Sequence, residues 1–335
     1  MTIKDIAKEC GCAVGTVSRV LNNHPDVSDA TRQKVMEIVE KYGFVLNTNA
    51  RILKAQSNKN LVIIVKGSCS ILLNGLLEKC LKHIENTPYE VSVIVIDEYD
   101  NEAQRAIRVL GELKPMGIIF LGGCPDAYEE DFCNINVPCV LISAQADNVP
   151  NGNLSSVSTD GYMASGSSAK FLIYNGHTKI GVIGGELKSS ALSRTRYQGF
   201  LDAIKAAGLS FDEEKQYVTS KYSFEGGACA AEALIKKFPD LTAIYTMSDV
   251  MAIGAMRRLK DMGYQIPQDI SIIGFDGLSL ADYCIPRLST IKQLQDELVQ
   301  KGMDVLLNCI ERKASSVHIF TPYELIEGES VRKIN

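Results

Sequence analysis

Residues 2–22 read Thr2-Ile3-Lys4-Asp5-Ile6-Ala7-Lys8-Glu9-Cys10-Gly11-Cys12-Ala13-Val14-Gly15-Thr16-Val17-Ser18-Arg19-Val20-Leu21-Asn22. Thr2 and Asp5 are spaced as a capping pair, which predicts a helix start. Ile3, Ile6, Ala7 and Cys10 then recur at i, i+3, i+4 and i+7, and the stripe stops at Gly11, where a left-handed turn is cheap. A second helix is expected over residues 13–21, burying Val17, Val20 and Leu21 and turning Val14, Gly15, Ser18 and Arg19 to another face. A third starts at Ser28, with Val27 as a staple, and carries Val35, Ile38, Val39 and Tyr42 to a stop at Gly43. Three short helices with a glycine in the first turn describe a helix-turn-helix.

At 335 residues the chain is too long for this small unit alone, which predicts two or three compact units. Residues 1–60 carry nine Lys/Arg against six Asp/Glu, net +3, so the rest carries −8 of the chain's −5. A basic head on an acidic body suits a head that meets a polyanion and a body that does not. Apolar runs such as 61–65 and 117–121 are strand-sized and too short to cross a bilayer. The start of the chain lacks the basic, apolar and small-residue pattern of a secretory signal, and ten cysteines are scattered without a disulfide framework. The expectation is a cytoplasmic protein with reduced thiols and no membrane partner.

After the head, Asn47-Thr48-Asn49-Ala50-Arg51-Ile52-Leu53-Lys54 opens with a good cap yet is too short for a stable helix alone. Beyond the polar linker 57–60, strand-like runs at 61–65, 91–96, 117–121 and 139–143 alternate with helical stretches. A second series follows at 179–184, 243–246 and 271–275, with helices expected over 195–207 and 249–262. The alternation predicts two doubly wound parallel-sheet lobes. No Gly-x-Gly-x-x-Gly turn, phosphate loop or Gly-x-Ser-x-Gly elbow accompanies them, and the four histidines lie far apart. No catalytic residue, cofactor or metal is expected, which disfavours an enzyme.

Several strings together carry a resemblance. Residues 2–7, Gly15-Thr16-Val17-Ser18-Arg19-Val20-Leu21-Asn22, Val27-Ser28, Thr31-Arg32 and Tyr42-Gly43-Phe44 resemble the head of the lactose-repressor (LacI/GalR) family of transcription regulators. Asp160-Gly161, residues 175–180, Arg196-Tyr197-Gln198-Gly199-Phe200, Ser248-Asp249, residues 252–256, residues 266–276 and Ser289-Thr290-Ile291 resemble that family's periplasmic-binding-protein-like sensor. The resemblance implies an all-α helix-turn-helix domain at 1–46, a hinge helix and linker at 47–60, and a ligand-sensing and dimerisation domain at 61–335. Its first lobe would hold about 61–158 and 291–319, its second about 159–290 and 320–335.

By the same resemblance, Val14, Gly15 and Arg19 would face base edges, while Thr16, Ser18, Asn22, Ser28 and Thr31 would hold phosphates. The hinge, through Asn47, Ala50, Lys54 and a wedging Leu53, would enter the minor groove and couple the body to DNA. Asp160, Arg196, Ser248 and Asp276 would be polar contacts of an effector, with Tyr222 as an aromatic wall. The implied protein is a homodimeric repressor on a double-stranded, pseudo-palindromic operator, controlled by a small molecule between the lobes. Guanidinium and carboxylate groups suit a sugar or sugar derivative and also satisfy a nucleobase. A solute-binding transport protein would share the lobes but not the head. The sequence departs from the family pattern at Ala13 and Ser248, where Ser and Asn are usual, at Leu46, where Pro is common, and at residues 68–73, which lack the Asn-Pro-Phe-Phe run.

Overall fold

The computed structural model describes residues 3–21, 27–42, 59–67, 70–98, 100–128, 131–146, 149 and 152–334. The chain forms two units, Met1–Ser57 and Asn58–Asn335.

In the first unit, α1 (Ile3–Glu9), α2 (Val14–Leu21) and α3 (Asp29–Lys41) enclose a small core of Ile6, Ala7, Cys10, Val17, Val20 and Val35. Leu21, Val27, Ile38 and Val39 pack on it while half-buried, because three short helices cannot enclose more. Gly11 takes φ +62° in the turn after α1, a conformation that costs glycine nothing. Tyr42, expected on the buried stripe, is 43% exposed and instead donates its hydroxyl to Glu9 at 2.8 Å, joining the end of α3 to α1. Thr2, the expected capping partner of Asp5, lies outside the described residues, as do Asn22 and the hinge residues Asn47, Ala50, Leu53 and Lys54.

The second unit has two lobes. In the first, β1 (Asn60–Lys66), β2 (Glu90–Ile96), β3 (Gly117–Leu121), β4 (Cys139–Ile142), β5 (Leu154–Thr159) and β11 (His318–Thr321) make one parallel sheet in the order β11-β5-β4-β3-β1-β2. Helices α4 (Ile71–Ile84) and α11 (Gln295–Arg312) cover one face and α5 (Glu102–Leu113) the other. Both faces are covered, so the central strands β1 and β3 read as continuous apolar runs rather than alternating ones.

In the second lobe, β6 (Ile180–Gly184), β7 (Tyr217–Thr219), β8 (Ala243–Thr246), β9 (Ser271–Asp276), β10 (Ser289–Gln293) and β12 (Tyr323–Ile326) pair in the order β12-β10-β9-β8-β6-β7. All neighbours are parallel except β10 and β12. Helices α6 (Gly161–Tyr174) and α7 (Ala191–Ala206) lie on one face, and α9 (Phe224–Lys237) and α10 (Asp249–Asp261) on the other; the single turn α8 (Glu213–Gln216) precedes β7. The α6–α7 and α9–α10 crossings are close enough that a Cβ on Gly199 would lie 2.0 Å from the Tyr162 carbonyl oxygen, and one on Gly254 1.9 Å from that of Phe224.

The chain passes between lobes three times, after Thr159, after Gln293 and after Thr321. All three passages leave neighbouring strands, β5 beside β11 in one sheet and β10 beside β12 in the other. Residues 291–293 therefore stay with the second sheet and 320–321 with the first, two or three residues from the expected boundaries, because each strand runs to the end of its ladder before the chain leaves. Helix α7 starts at Ala191 rather than near 195, since the Ser190 hydroxyl accepts from the Ser193 amide at 3.2 Å and caps it there. Among the described residues every cysteine is free, no helix is long and apolar enough to cross a membrane, and no cluster has the makings of a metal site.

Candidate functional site

The head presents one face of α2. Val17 and Val20 are buried, and the helix is thereby oriented so that Val14, Gly15 and Arg19 are exposed, with Thr16 and Ser18 half-buried at the edges. A Cβ built on Gly15 meets nothing within 4 Å, so the absence of a side chain there is not forced by packing. Ser28 caps α3, accepting from the Thr31 amide at 3.4 Å, and its hydroxyl lies 2.9 Å from that of Thr31. Those hydroxyls sit at a helix N-terminus, where free amides favour an anion.

In the body, the carboxyl ends of the strands in both lobes converge on a cleft of ≈ 1050 Å³, at the upper end of what small-molecule sites occupy, roughly 300–1,000 Å³. Asp160 follows β5 and caps α6, its Oδ1 accepting from the Met163 amide at 3.0 Å. Arg196 on α7 is 4% exposed, donates from Nη1 to the Met247 carbonyl oxygen at 2.5 Å, and lies 3.8 Å over the Phe275 ring. Among the described residues its Nε has no hydrogen-bond partner, and neither has the buried Thr159 hydroxyl. Both residues line the cleft, and a buried donor without an acceptor is costly unless something supplies one. Tyr222 lines the same cleft, held by a 3.1 Å hydrogen bond between its hydroxyl and that of Ser193.

Of the five expected effector contacts, the structure thus brings Asp160, Arg196 and Tyr222 together. Ser248 and Asp276 are buried beside Arg196, each adjacent in sequence to a residue it touches, but neither lines the cleft. Ser248 caps α10, accepting from Met251 N at 3.3 Å. Asp276 ends β9 at φ +126° and accepts from Gln293 Nε2 at 2.8 Å. Asp249 is buried as well and takes Thr290 Oγ1 at 2.5 Å and the Leu278 amide at 2.7 Å. Burial pushes both carboxyl groups above the ordinary range. The neighbouring Asp276 charge raises Asp249 further, whereas Arg196 and Gln293 pull Asp276 back down.

Sequence reading passed over the first-lobe wall. Lys66 ends β1 and donates to Glu102 Oε2 at 2.7 Å; Glu102, 1% exposed, also accepts from Tyr128 Oη at 3.1 Å and from the Cys124 amide. A signal was available: a lysine directly after an apolar run at the carboxyl end of a parallel strand stands where such sheets bind ligands. Gln293 and Asp249 left no comparable signal, since their roles depend on which strand lies beside which.

Residues 2–47 match the family model "Bacterial regulatory proteins, lacI family", and residues 169–331 match a periplasmic binding protein-like domain. The chain is 31% identical to the transcriptional regulator MalR of Clostridium butyricum over 98% of its own length and 99% of the relative's. It is 30% identical to the transcriptional repressor PurR of Vibrio vulnificus over 100% and 99%. Among solved structures it resembles a Lac repressor dimer bound to operator and an anti-inducer, at TM-score 0.74 and 22% identity over 99% of both chains. It also resembles the transcriptional regulator CelR in complex with cellobiose, at TM-score 0.72 and 22% identity over 98% and 99%.

Proposed function

This chain belongs to the lacI family of bacterial regulatory proteins and is a DNA-binding transcriptional repressor rather than an enzyme, and we propose that its effector is a carbohydrate bound between the lobes of the body. One observation carries this reading: among the described residues, Arg196 Nε and the Thr159 hydroxyl are buried without partners on the wall of a cleft whose other polar groups include Asp160, Gln145 and Lys66. Alternating hydroxyls satisfy such a mixture of donors and acceptors. Tyr222 and Phe320 are the aromatic residues of its lining among the described residues, so hydrogen-bonding groups outnumber stacking faces there. A nucleobase effector is the second reading, favoured by the similarity to a relative named PurR.

In this proposal two copies act in the cytoplasm on a pseudo-palindromic operator. Val14, Gly15 and Arg19 face base edges; Thr16, Ser18, Asn22, Ser28 and Thr31 meet phosphates; and Asn47, Ala50, Leu53 and Lys54 belong to the hinge. Asp160, Arg196 and Tyr222 contact the effector, and Ser248 and Asp276 join them through Arg196. A homodimer is supported by an exposed apolar patch on the second lobe, where Ile285 is 89% exposed beside Ile253, Met256 and Pro286.

The test is a thermal-shift screen of the full chain against neutral sugars and nucleobases, since a ligand of the folded state alone must raise the midpoint. A shift with a sugar that disappears in Arg196→Ala supports the reading. A shift with nucleobases alone replaces it with the second.

A further inference from the structure

Three cations line the cleft, Lys66, Lys221 and Arg196, and Arg194 stands at its rim; all but Arg196 are committed to carboxylates. Lys66 is paired with Glu102 at 2.7 Å inside the first lobe. Lys221 reaches Glu98 at 3.5 Å and Arg194 reaches Asp126, each from the second lobe to the first. Arg196 makes no ion pair among the described residues, but Asp276 is near enough to feel its charge.

Three carboxylates of the lining have no such partner. Asp100, Asp160 and Glu186 form no ion pair among the described residues. Each accepts a local backbone amide instead: Asp97 N at 3.2 Å, Met163 N at 3.0 Å and Lys188 N at 3.1 Å. The cleft therefore carries more negative than positive charge, and its polar groups hold acceptor capacity to spare. Clefts of one sign with low-dielectric walls concentrate their field and repel ligands of that sign.

We infer that the cleft takes an uncharged polyhydroxylated effector and rejects phosphorylated or carboxylated ones, and that the Lys66–Glu102 pair sets this selectivity in the first lobe. The inference rests on the carbohydrate reading above. Glu102 is fixed by Tyr128 and the Cys124 amide, so it holds Lys66 in place with its charge cancelled. Lys66, 17% exposed, then offers its remaining N–H groups to a hydroxyl without drawing in an anion. The free carboxylate oxygens of Asp160, Asp100 and Glu186 take the hydroxyl protons of a neutral ligand and find none on a phosphate dianion.

The experiment titrates the full chain by calorimetry, at fixed ionic strength, with paired probes: glucose against glucose 6-phosphate and glucuronate, and maltose and cellobiose against their phosphorylated forms. The neutral member of whichever pair binds is expected to bind at least tenfold more tightly than its anionic partners. Glu102→Gln, which leaves Lys66 uncancelled, is expected to narrow that ratio several-fold. Asp100→Asn with Glu186→Gln, both away from the packed core, is expected to narrow it independently. A phosphorylated or carboxylated probe that binds as tightly as its neutral parent overturns the inference and leaves the carbohydrate reading standing. Silence from every sugar alongside binding of adenine or hypoxanthine overturns both, and so does silence from all probes.

Discussion

Asp126 of the first lobe and Arg194 of the second form an ion pair at the rim of the cleft. Arg194 is anchored on its own lobe by the Leu187 and Lys188 carbonyl oxygens at 3.1 and 3.2 Å, so the guanidinium is aimed before it meets Asp126. The pair is half exposed, and such pairs contribute at most about 1 kcal/mol. Arg194→Ala is thus expected to leave the unfolding free energy within about 1 kcal/mol of the parent. The same change is expected to speed release of the bound sugar several-fold, because it acts only when the lobes are together. Stopped-flow release beside a denaturant titration checks both; a large stability loss with unchanged release contradicts the assignment.

The exposed face of α2 gives a second expectation. Gly15 has open space where a Cβ would go, and helical glycine costs roughly 0.5–1 kcal/mol against alanine. Gly15→Ala should therefore stabilise the head slightly while altering the preferred operator. Arg19→Ala should weaken operator binding by about 1–3 kcal/mol and nonspecific binding much less. Fluorescence anisotropy with operator and scrambled duplexes over a salt series separates the two effects, and equal losses on both duplexes would remove Arg19 from base reading.

Crossing helices in the second lobe give a third. Gly199→Ala places a methyl group against the Tyr162 backbone, which cannot move aside as a side-chain tip can. A loss of at least about 1–3 kcal/mol is expected. Gly111→Ala, in α5 with nothing within 4 Å of the added carbon, should cost nothing or stabilise. Parallel urea titrations compare them.

Asp249 and Asp276 give a fourth. Burial raises them to about 7 and about 6, above the unfolded value near 4. Between those limits the folded chain holds protons that the unfolded chain has released, so stability is highest at the acid end of the window and falls as pH rises through 6 to 7. Asp276→Asn removes one of the two charges and should flatten the fall in melting midpoint between pH 5 and 8. An unchanged slope would place the titration elsewhere.

Much of this architecture is legible in the sequence because its period is local. Val17 and Val20 define the buried side of α2 by spacing alone, and the run 61–65 declares a strand covered on both faces. Tyr42 failed as a core residue because the stripe of α3 outlasts the small core available to it. In the site, Asp160, Arg196 and Tyr222 lie where strand ends and helix starts place them. Glu102 was not legible, since a glutamate opening an amphipathic helix normally faces water. Its burial depends on Lys66, Tyr128 and the Cys124 amide, which arrive from two other segments.

The three passages between the lobes have a mechanical meaning. One strand of chain is a swivel and two make a loose band, but three side by side, issuing from neighbouring strands, resemble a piano hinge that bends about one line and resists twist. Whatever part of the cleft a ligand grips, its pull is resolved into the same swing. Chemically different molecules then speak to the rest of the body through one motion, and substitutions in the cleft exchange the lock while leaving the door untouched.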